Sequence, residues 1–221
     1  MTRVHDTAAE FAVLSLQIPN SLHEPLHALA QNGYTIVPDF LPPEATSALL
    51  AECQDLYHQG KTHTAGIGRG SRHRVLPAVR NDQVLWLDST HLSPAQAIYW
   101  QAMEDLRQQL NRTYFLGLVD YECHYAHYPA GGYYQKHRDT FHATNRRRIS
   151  SVFYMNFDWT PADGGQLRLF IPQGSDDATV DILPTAGTLV IFDSQMEHEV
   201  LPTQAMRHSL AGWLRCLEHV F

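Results

Sequence analysis

From Gly187 the chain reads Gly187-Thr-Leu-Val-Ile-Phe-Asp193, then Glu197-His-Glu-Val-Leu-Pro202, then Arg207-His-Ser-Leu-Ala-Gly-Trp-Leu-Arg-Cys-Leu217. Each run is short and apolar or alternating, and turn-forming residues separate it from the next, which is the signature of a β-strand. The pattern extends backwards through residues 120–128, 132–138, 149–157, 166–171 and 178–182, so that eight β runs follow Gly117. A parallel sheet would interleave helices between them. Uninterrupted short strands predict instead a two-sheet sandwich or jelly roll.

Ahead of Gly117 the character is different. Residues 22–32 carry Leu22, Leu26, Leu29 and Ala30 at helical spacing and stop at Asn32-Gly33, a helix C-terminal signal. A strand over 34–37 follows. Pro42, Pro43 and Glu44 open a second helix whose stripe is Ala45, Leu49, Cys53, Leu56 and Tyr57, ended by Gly60. Residues 60–79, rich in Gly, His, Ser and Arg, read as a long mobile loop of the kind that carries function. A strand over 83–87 leads to a third helix from Pro94 to Asn111, with Ile98, Ala102, Leu106 and Leu110 recurring every four residues. Residues 1–20 read as an arm or edge element. The whole is predicted to be α+β and mainly β, one domain over 1–221. Residues 1–116 supply helical support, strands and the mobile loop, and 117–221 supply the jelly-roll core, with the N-terminal helices packed on one sheet.

Composition narrows the function. With 44% hydrophobic and 18% charged residues in 221, the chain has the make-up of a globular protein rather than a disordered one. A net charge of −7 argues against a nucleic-acid-binding surface, although residues 69–74 and 146–148 form two basic knots. Asp6 and Glu10 stand where a signal peptide would need an apolar core, and no apolar run is long enough to span a bilayer, so a cytoplasmic protein with no membrane partner is expected. Cys53, Cys123 and Cys216 lack CxxC spacing and read as reduced core residues. The unusual count is 14 histidines, which prompts a search for ligand spacing.

The informative phrase is Gly132-Tyr-Tyr-Gln-Lys-His137-Arg-Asp139. In an extended strand, residues two apart share a side, so His137 and Asp139 would present an imidazole and a carboxylate toward one point. Such a pair is more often a surface hydrogen bond than a metal site. A third donor, His198, stands just after an apolar strand, and two histidines with one carboxylate suit non-haem iron(II), or zinc in some hydrolases. Arg207 discriminates between the two. It shares a face with Ser209, Ala211 and Trp213, and an inward-facing guanidinium is costly unless it meets an anion; its fork suits a carboxylate. A hydrolase has no evident use for that receptor, whereas an oxygenase consuming 2-oxoglutarate must anchor the far carboxylate of its cosubstrate. Tyr154 could donate a second hydrogen bond there, though alone it would read as an ordinary core tyrosine.

The run from Tyr128 to Trp213 resembles the catalytic core of Fe(II)- and 2-oxoglutarate-dependent oxygenases of the prolyl 4-hydroxylase type, and is similar to the hypoxia-inducible-factor prolyl hydroxylases and their bacterial relatives. The matching phrases are Tyr128-Pro129 with the segment from Gly132 to Asp139, Phe153-Tyr154-Met-Asn156-Phe-Asp158-Trp159, Gly164-Gly165-Gln-Leu167-Arg168-Leu-Phe170, and His198-Glu-Val200-Leu-Pro202 with Arg207 and Trp213. The resemblance implies a double-stranded β-helix, iron(II) held by His137, Asp139 and His198, and 2-oxoglutarate held by Arg207 and Tyr154 in a pocket lined by Tyr128 and Leu167. No catalytic residue beyond the iron site is implied. Dioxygen is the second cosubstrate and ascorbate an accessory reductant. It further implies Tyr134, Arg147 and Trp213 near a target proline, and Arg80 and Asp82 at the stem of the mobile loop. The implied reaction is prolyl 4-hydroxylation of an exposed loop of a protein substrate, elongation factor Tu being the first candidate, with release of succinate and carbon dioxide. The glycine loop before Tyr134 is shorter than in the animal enzymes and Thr140-Phe141-His142 follows Asp139, which leaves the substrate open.

Three other readings stand beside this one: the same chemistry on a nucleic acid, prompted by residues 146–148; the same chemistry on a small molecule; and a non-catalytic sensor or binding module that keeps the fold. Gly66-Ile-Gly68-Arg-Gly70 follows a helix and lacks phosphate-loop spacing. His63, His73, His124, His127 and His142 are not expected to be ligands, and His127 invites inspection because it adjoins Tyr128.

Overall fold

The structure is a computed structural model that describes residues 23–66, 74–140, 146–173 and 176–217. The expected arm at 1–20, most of the basic knot at 69–74, the glycines at 68 and 70, His73 and the Phe141-His142 segment lie outside the described residues.

Among the described residues, three α-helices and eleven strands follow one another as α1 (His23–Asn32), β1 (Tyr34–Val37), α2 (Pro43–His58), β2 (His63–Thr64), β3 (Gln83–Trp86), α3 (Pro94–Tyr114), β4 (Leu118–Tyr128), β5 (Tyr134–His137), β6 (Arg147–Tyr154), β7 (Leu167–Gln173), β8 (Asp176–Ile182), β9 (Leu189–Asp193), β10 (His198–Val200) and β11 (Arg207–Cys216). A seven-stranded sheet runs β1-β9-β6-β11-β4-β3-β2 and a four-stranded sheet runs β5-β10-β7-β8, with antiparallel pairing throughout. All eight expected β runs after Gly117 are strands, arranged as the jelly roll the sequence predicts.

The helices cover one face of the larger sheet because the strand period divides its residues cleanly. On β4, Cys123 and Tyr125 join the core built with Leu49 and Cys53 of α2 and Tyr99, Met103, Leu106 and Leu110 of α3. The neighbours His124, Ala126 and Tyr128 turn to the opposite face and line a cleft between the sheets. Helix α3 starts on a capping box in which Ser93 accepts from the Gln96 backbone while the Gln96 side chain reaches back, and it ends with Phe115 in the left-handed region.

Several boundaries differ from the sequence reading. Ile98, placed on the apolar stripe of α3, is 37% exposed; Tyr99 and Met103 fill the stripe instead, since a strict four-residue step drifts off a 3.6-residue face. Helix α3 runs to Tyr114 rather than Asn111, because the Asn111 side chain caps the connection by bonding the Leu118 backbone in both directions. Residues 63–64, expected in a loop, form β2 against β3. Strand β5 stops at His137, so Asp139 lies beyond it in a bend. His127 faces α2, its ring stacked on Tyr57 at 3.7 Å and edge-on to His208 at 4.7 Å. Burial holds both imidazoles down at about 4 and therefore neutral near neutral pH.

Gly212 sits in the middle of β11, paired with β4 on one side and β6 on the other. A Cβ there would meet the Tyr121 hydroxyl, Cys123 Cβ at 2.6 Å and the Glu122 carbonyl at 2.7 Å. The space it leaves lets the Tyr121 hydroxyl bridge Tyr99 (2.8 Å) and Ser151 (3.0 Å), satisfying three buried hydroxyls in one chain. Gly212→Ala is expected to cost about 1–3 kcal/mol of overpacking and to lower the thermal unfolding midpoint by several degrees; an unchanged midpoint would refute the close approach.

Candidate active site

The register of the smaller sheet brings the donors together. His198 on β10 is the direct partner of His137 on β5, which places two imidazoles side by side with ring centroids 4.2 Å apart. Asp139 reaches the same point from the bend after β5, where its backbone N–H donates to the Ser194 carbonyl and Ser150 Oγ donates to its carboxylate at 2.7 Å. Ser194 Oγ lies 2.9 Å from Ser150 Oγ. The two serines thus do the positioning that the sequence reading assigned to a continuous strand.

Each histidine is oriented by a backbone carbonyl. His137 Nδ1 lies 2.7 Å from the Gln135 carbonyl and His198 Nδ1 lies 3.0 Å from the Met196 carbonyl, so the Nδ1–H donates and Nε2 keeps its lone pair. The Nε2 atoms stand 3.7 and 3.5 Å from the two Asp139 oxygens, and the three side chains are 16%, 6% and 11% exposed for His137, His198 and Asp139. These separations exceed hydrogen-bonding length and suit donors that share one cation. Burial pushes the His137 imidazole down to about 3, His198 adding to the effect. Burial works to raise Asp139, but the two histidines and Ser150 outweigh it and hold the carboxyl at about 2. His137 and Asp139 are in their ligating forms at neutral pH, and one ligand atom from each of the three residues lies within 4.8 Å of the others. A two-histidine, one-carboxylate set of this kind fits iron(II).

Arg207 opens the central strand β11 and is 1% exposed. Its Nε donates to the Gly165 carbonyl at 2.9 Å and its Nη1 to Ser209 Oγ at 3.2 Å, and no carboxylate pairs with it among the described residues. Gly165 is in the left-handed region (φ 67°), and a Cβ there would come within 3.0 Å of Arg207 Cδ. The guanidinium carbon lies 5.0 Å from the Tyr128 ring and 5.1 Å from the Tyr154 ring. The buried Tyr154 hydroxyl finds no acceptor among the described residues, and burial pushes its phenol up to about 12 against the opposing pull of Arg207. A buried cation without an anion beside a buried hydroxyl without an acceptor fits one carboxylate of a dicarboxylic acid. Both the triad and Arg207 line a single cleft of about 590 Å³, together with Tyr128 and Leu167.

The remaining expected residues, apart from Asp82, also line the cleft. Tyr134 stacks on His137 with centroids 3.5 Å apart, and Arg80 lies 4.2 Å over its outer face. Arg80 is gripped by Asp82 through two hydrogen bonds of 2.7 and 2.5 Å; Asp82 is fully buried and acts through Arg80 rather than by lining the cleft. The Arg147 guanidinium lies 3.4 Å from the Trp213 ring and bonds Glu122 at 2.9–3.0 Å. In the basic run at 146–148, Arg146 pairs with Asp120 and Arg147 with Glu122, two carboxylates that both also pair with Arg215. Sequence reasoning missed Ser150 and Ser194, as well as His63, Trp86, Glu122 and His124, all four of which line the cleft. The available signal was a pair of serines inside apolar β6 and the strand-pair register that sets Trp86 against His124.

Residues 123–215 match the 2OG-Fe(II) oxygenase superfamily. Among solved structures, a Pseudomonas putida prolyl-4-hydroxylase is 40% identical, with a TM-score of 0.79 over 88% of this chain and 98% of that one. A Trichoplax adhaerens prolyl hydroxylase, solved in complex with a hypoxia-inducible-factor oxygen degradation domain peptide fragment, is 26% identical, with a TM-score of 0.76 over 86% and 87%. Egl nine homolog 1 of Mus musculus is 27% identical over 88% of this chain and 52% of its own length, and the chain spans about half the length of the curated relatives it matches. Donor set, anion receptor, fold and extended identity agree, and the chain belongs to the prolyl 4-hydroxylase group of 2-oxoglutarate- and iron(II)-dependent oxygenases.

Proposed function

We propose that this chain hydroxylates a prolyl residue at the 4-position in an exposed loop of another protein, elongation factor Tu being the first candidate. The observation that carries the reading is the buried, carboxylate-free Arg207 in the same cleft as the His137, Asp139 and His198 donors. The kinship with a bacterial prolyl-4-hydroxylase and with a peptide-bound prolyl hydroxylase supports a proline in a protein over other targets. The net charge of −7 favours a protein over a nucleic acid. The three free cysteines suit a reducing compartment, and we place the reaction in the cytoplasm.

His137, Asp139 and His198 would hold the iron, leaving open positions for the cosubstrates. When bound, the iron with 2-oxoglutarate and dioxygen supplies the oxidising power, one oxygen atom entering the C–H bond of proline and the other entering succinate as carbon dioxide leaves. The protein's own part is placement and exclusion of water. Arg207 and Tyr154 orient the cosubstrate by its distal carboxylate, with Tyr128 and Leu167 forming the walls. Tyr134, clamped between His137 and Arg80, offers the prolyl ring its edge and hydroxyl, and Trp213, held on one side by Arg147, offers an aromatic surface. Arg80 and Asp82 would form the stem of a loop that covers the bound substrate.

Two outcomes are expected. Incubation with iron(II), 2-oxoglutarate and ascorbate should add one oxygen to a prolyl residue of elongation factor Tu or of a proline peptide, read by mass spectrometry. Turnover of only a free amino acid or another small molecule would sink the protein-substrate reading. Arg207→Gln should raise the 2-oxoglutarate concentration needed for half-maximal succinate formation by about 30-fold or more while metal binding persists, as expected for loss of one member of a buried charge pair; an unchanged requirement would remove Arg207 from the cosubstrate site.

A further inference from the structure

Trp86 is an unusual surface residue. It ends β3 with its indole 44% exposed, yet it lines the cleft rather than lying flat on outer surface. It meets the Trp213 ring at 5.9 Å, tilted by 35°, and His124 fits edge-on against both indoles, 4.8 Å from Trp86 and 5.6 Å from Trp213. The three rings form one continuous aromatic wall. Its inner end is fixed: Trp213 is 7% exposed and carries the Arg147 guanidinium on its face. Its middle is uncharged, because burial pushes the His124 imidazole down to about 4. Its outer end, Trp86, is the more open of the two indoles, at 44% exposure against 7% for Trp213.

Resting on the prolyl hydroxylase reading above, we propose that Trp86 is a specificity-determining residue that receives an apolar side chain one or two positions from the target proline. A prolyl ring near the metal ligands stands against Trp213. An extended peptide advances roughly 3.3 Å per residue, so the 5.9 Å between the indoles spans one to two residues and brings a neighbouring side chain onto Trp86. Large indole faces favour aliphatic and aromatic partners and exclude water there, whereas a charged neighbour would be desolvated without a counter-ion.

The test uses alanine-rich peptides with one central proline, in which the two positions on either side are changed in turn to leucine or aspartate. Hydroxylation is followed by mass spectrometry, and binding by fluorescence anisotropy of the labelled peptides with 2-oxoglutarate in the absence of oxygen. The wild-type protein is expected to favour leucine over alanine at one of these positions, and Trp86→Ala to shrink that preference about tenfold in both readouts. Trp86→Phe should keep most of it. If Trp86→Ala does not fold, Trp86→Phe and Trp86→Leu report the same ratio. A wild-type protein that hydroxylates proline without any such preference, or a preference that survives Trp86→Ala, overturns this inference and leaves proline hydroxylation standing. A wild-type protein that modifies no prolyl substrate, peptide or intact, overturns both.

Discussion

A guanidinium held out of water with no carboxylate to meet it constrains everything around it. Arg207 is placed by β11, a strand that pairs on both sides within the larger sheet: Arg207 itself pairs with Tyr128 of β4, and the ladder to β6 begins two residues on at Ser209. Its Nε and Nη1 donate to a carbonyl and a serine hydroxyl, which satisfy donors but leave the charge uncompensated. Glycine at 165 and the small Ser209 and Ala211 keep the volume beside it open. An interior arranged in this way is stable in its working form when an anion completes it.

The rest of the fold divides its labour along the pleat of β4 and β11. One face of each strand carries the apolar residues that pack under α2 and α3; the other carries Tyr128, His124, Arg207 and Trp213. The smaller sheet closes over this second face and contributes the histidines, while the carboxylate comes from a bend tied to β6 and to the turn after β9 through Ser150 and Ser194. The two histidines from one sheet and the anion receptor from the other therefore line one cleft.

Much of this was legible in the sequence because it rests on local periodicity. The eight β runs, the alternation on β11 and the helix start at Pro94 follow from steps of two or 3.6 residues. The three metal donors and Arg207 could be named because each has a chemical character that its surroundings would not otherwise tolerate. What escaped depends on contacts between distant segments. Nothing near Asp139 announces that Ser150 and Ser194 will hold it, and only the pairing of β3 with β4 sets Trp86 beside His124. Ile98 was misplaced for a related reason: a repeat of four imitates a helical face over two turns and leaves it by the next.

The central claim is that one cleft binds iron(II) through His137, Asp139 and His198 and a 2-oxo acid through that iron and Arg207 together. Anaerobic titration of the iron(II)-loaded protein with 2-oxoglutarate, followed by visible absorption, tests it most directly. The account requires a metal-to-ligand charge-transfer band that saturates at one equivalent and fails to form in His198→Ala. Iron binding that persists in His198→Ala, or a loaded protein that takes up the oxo acid without any such band, would contradict it.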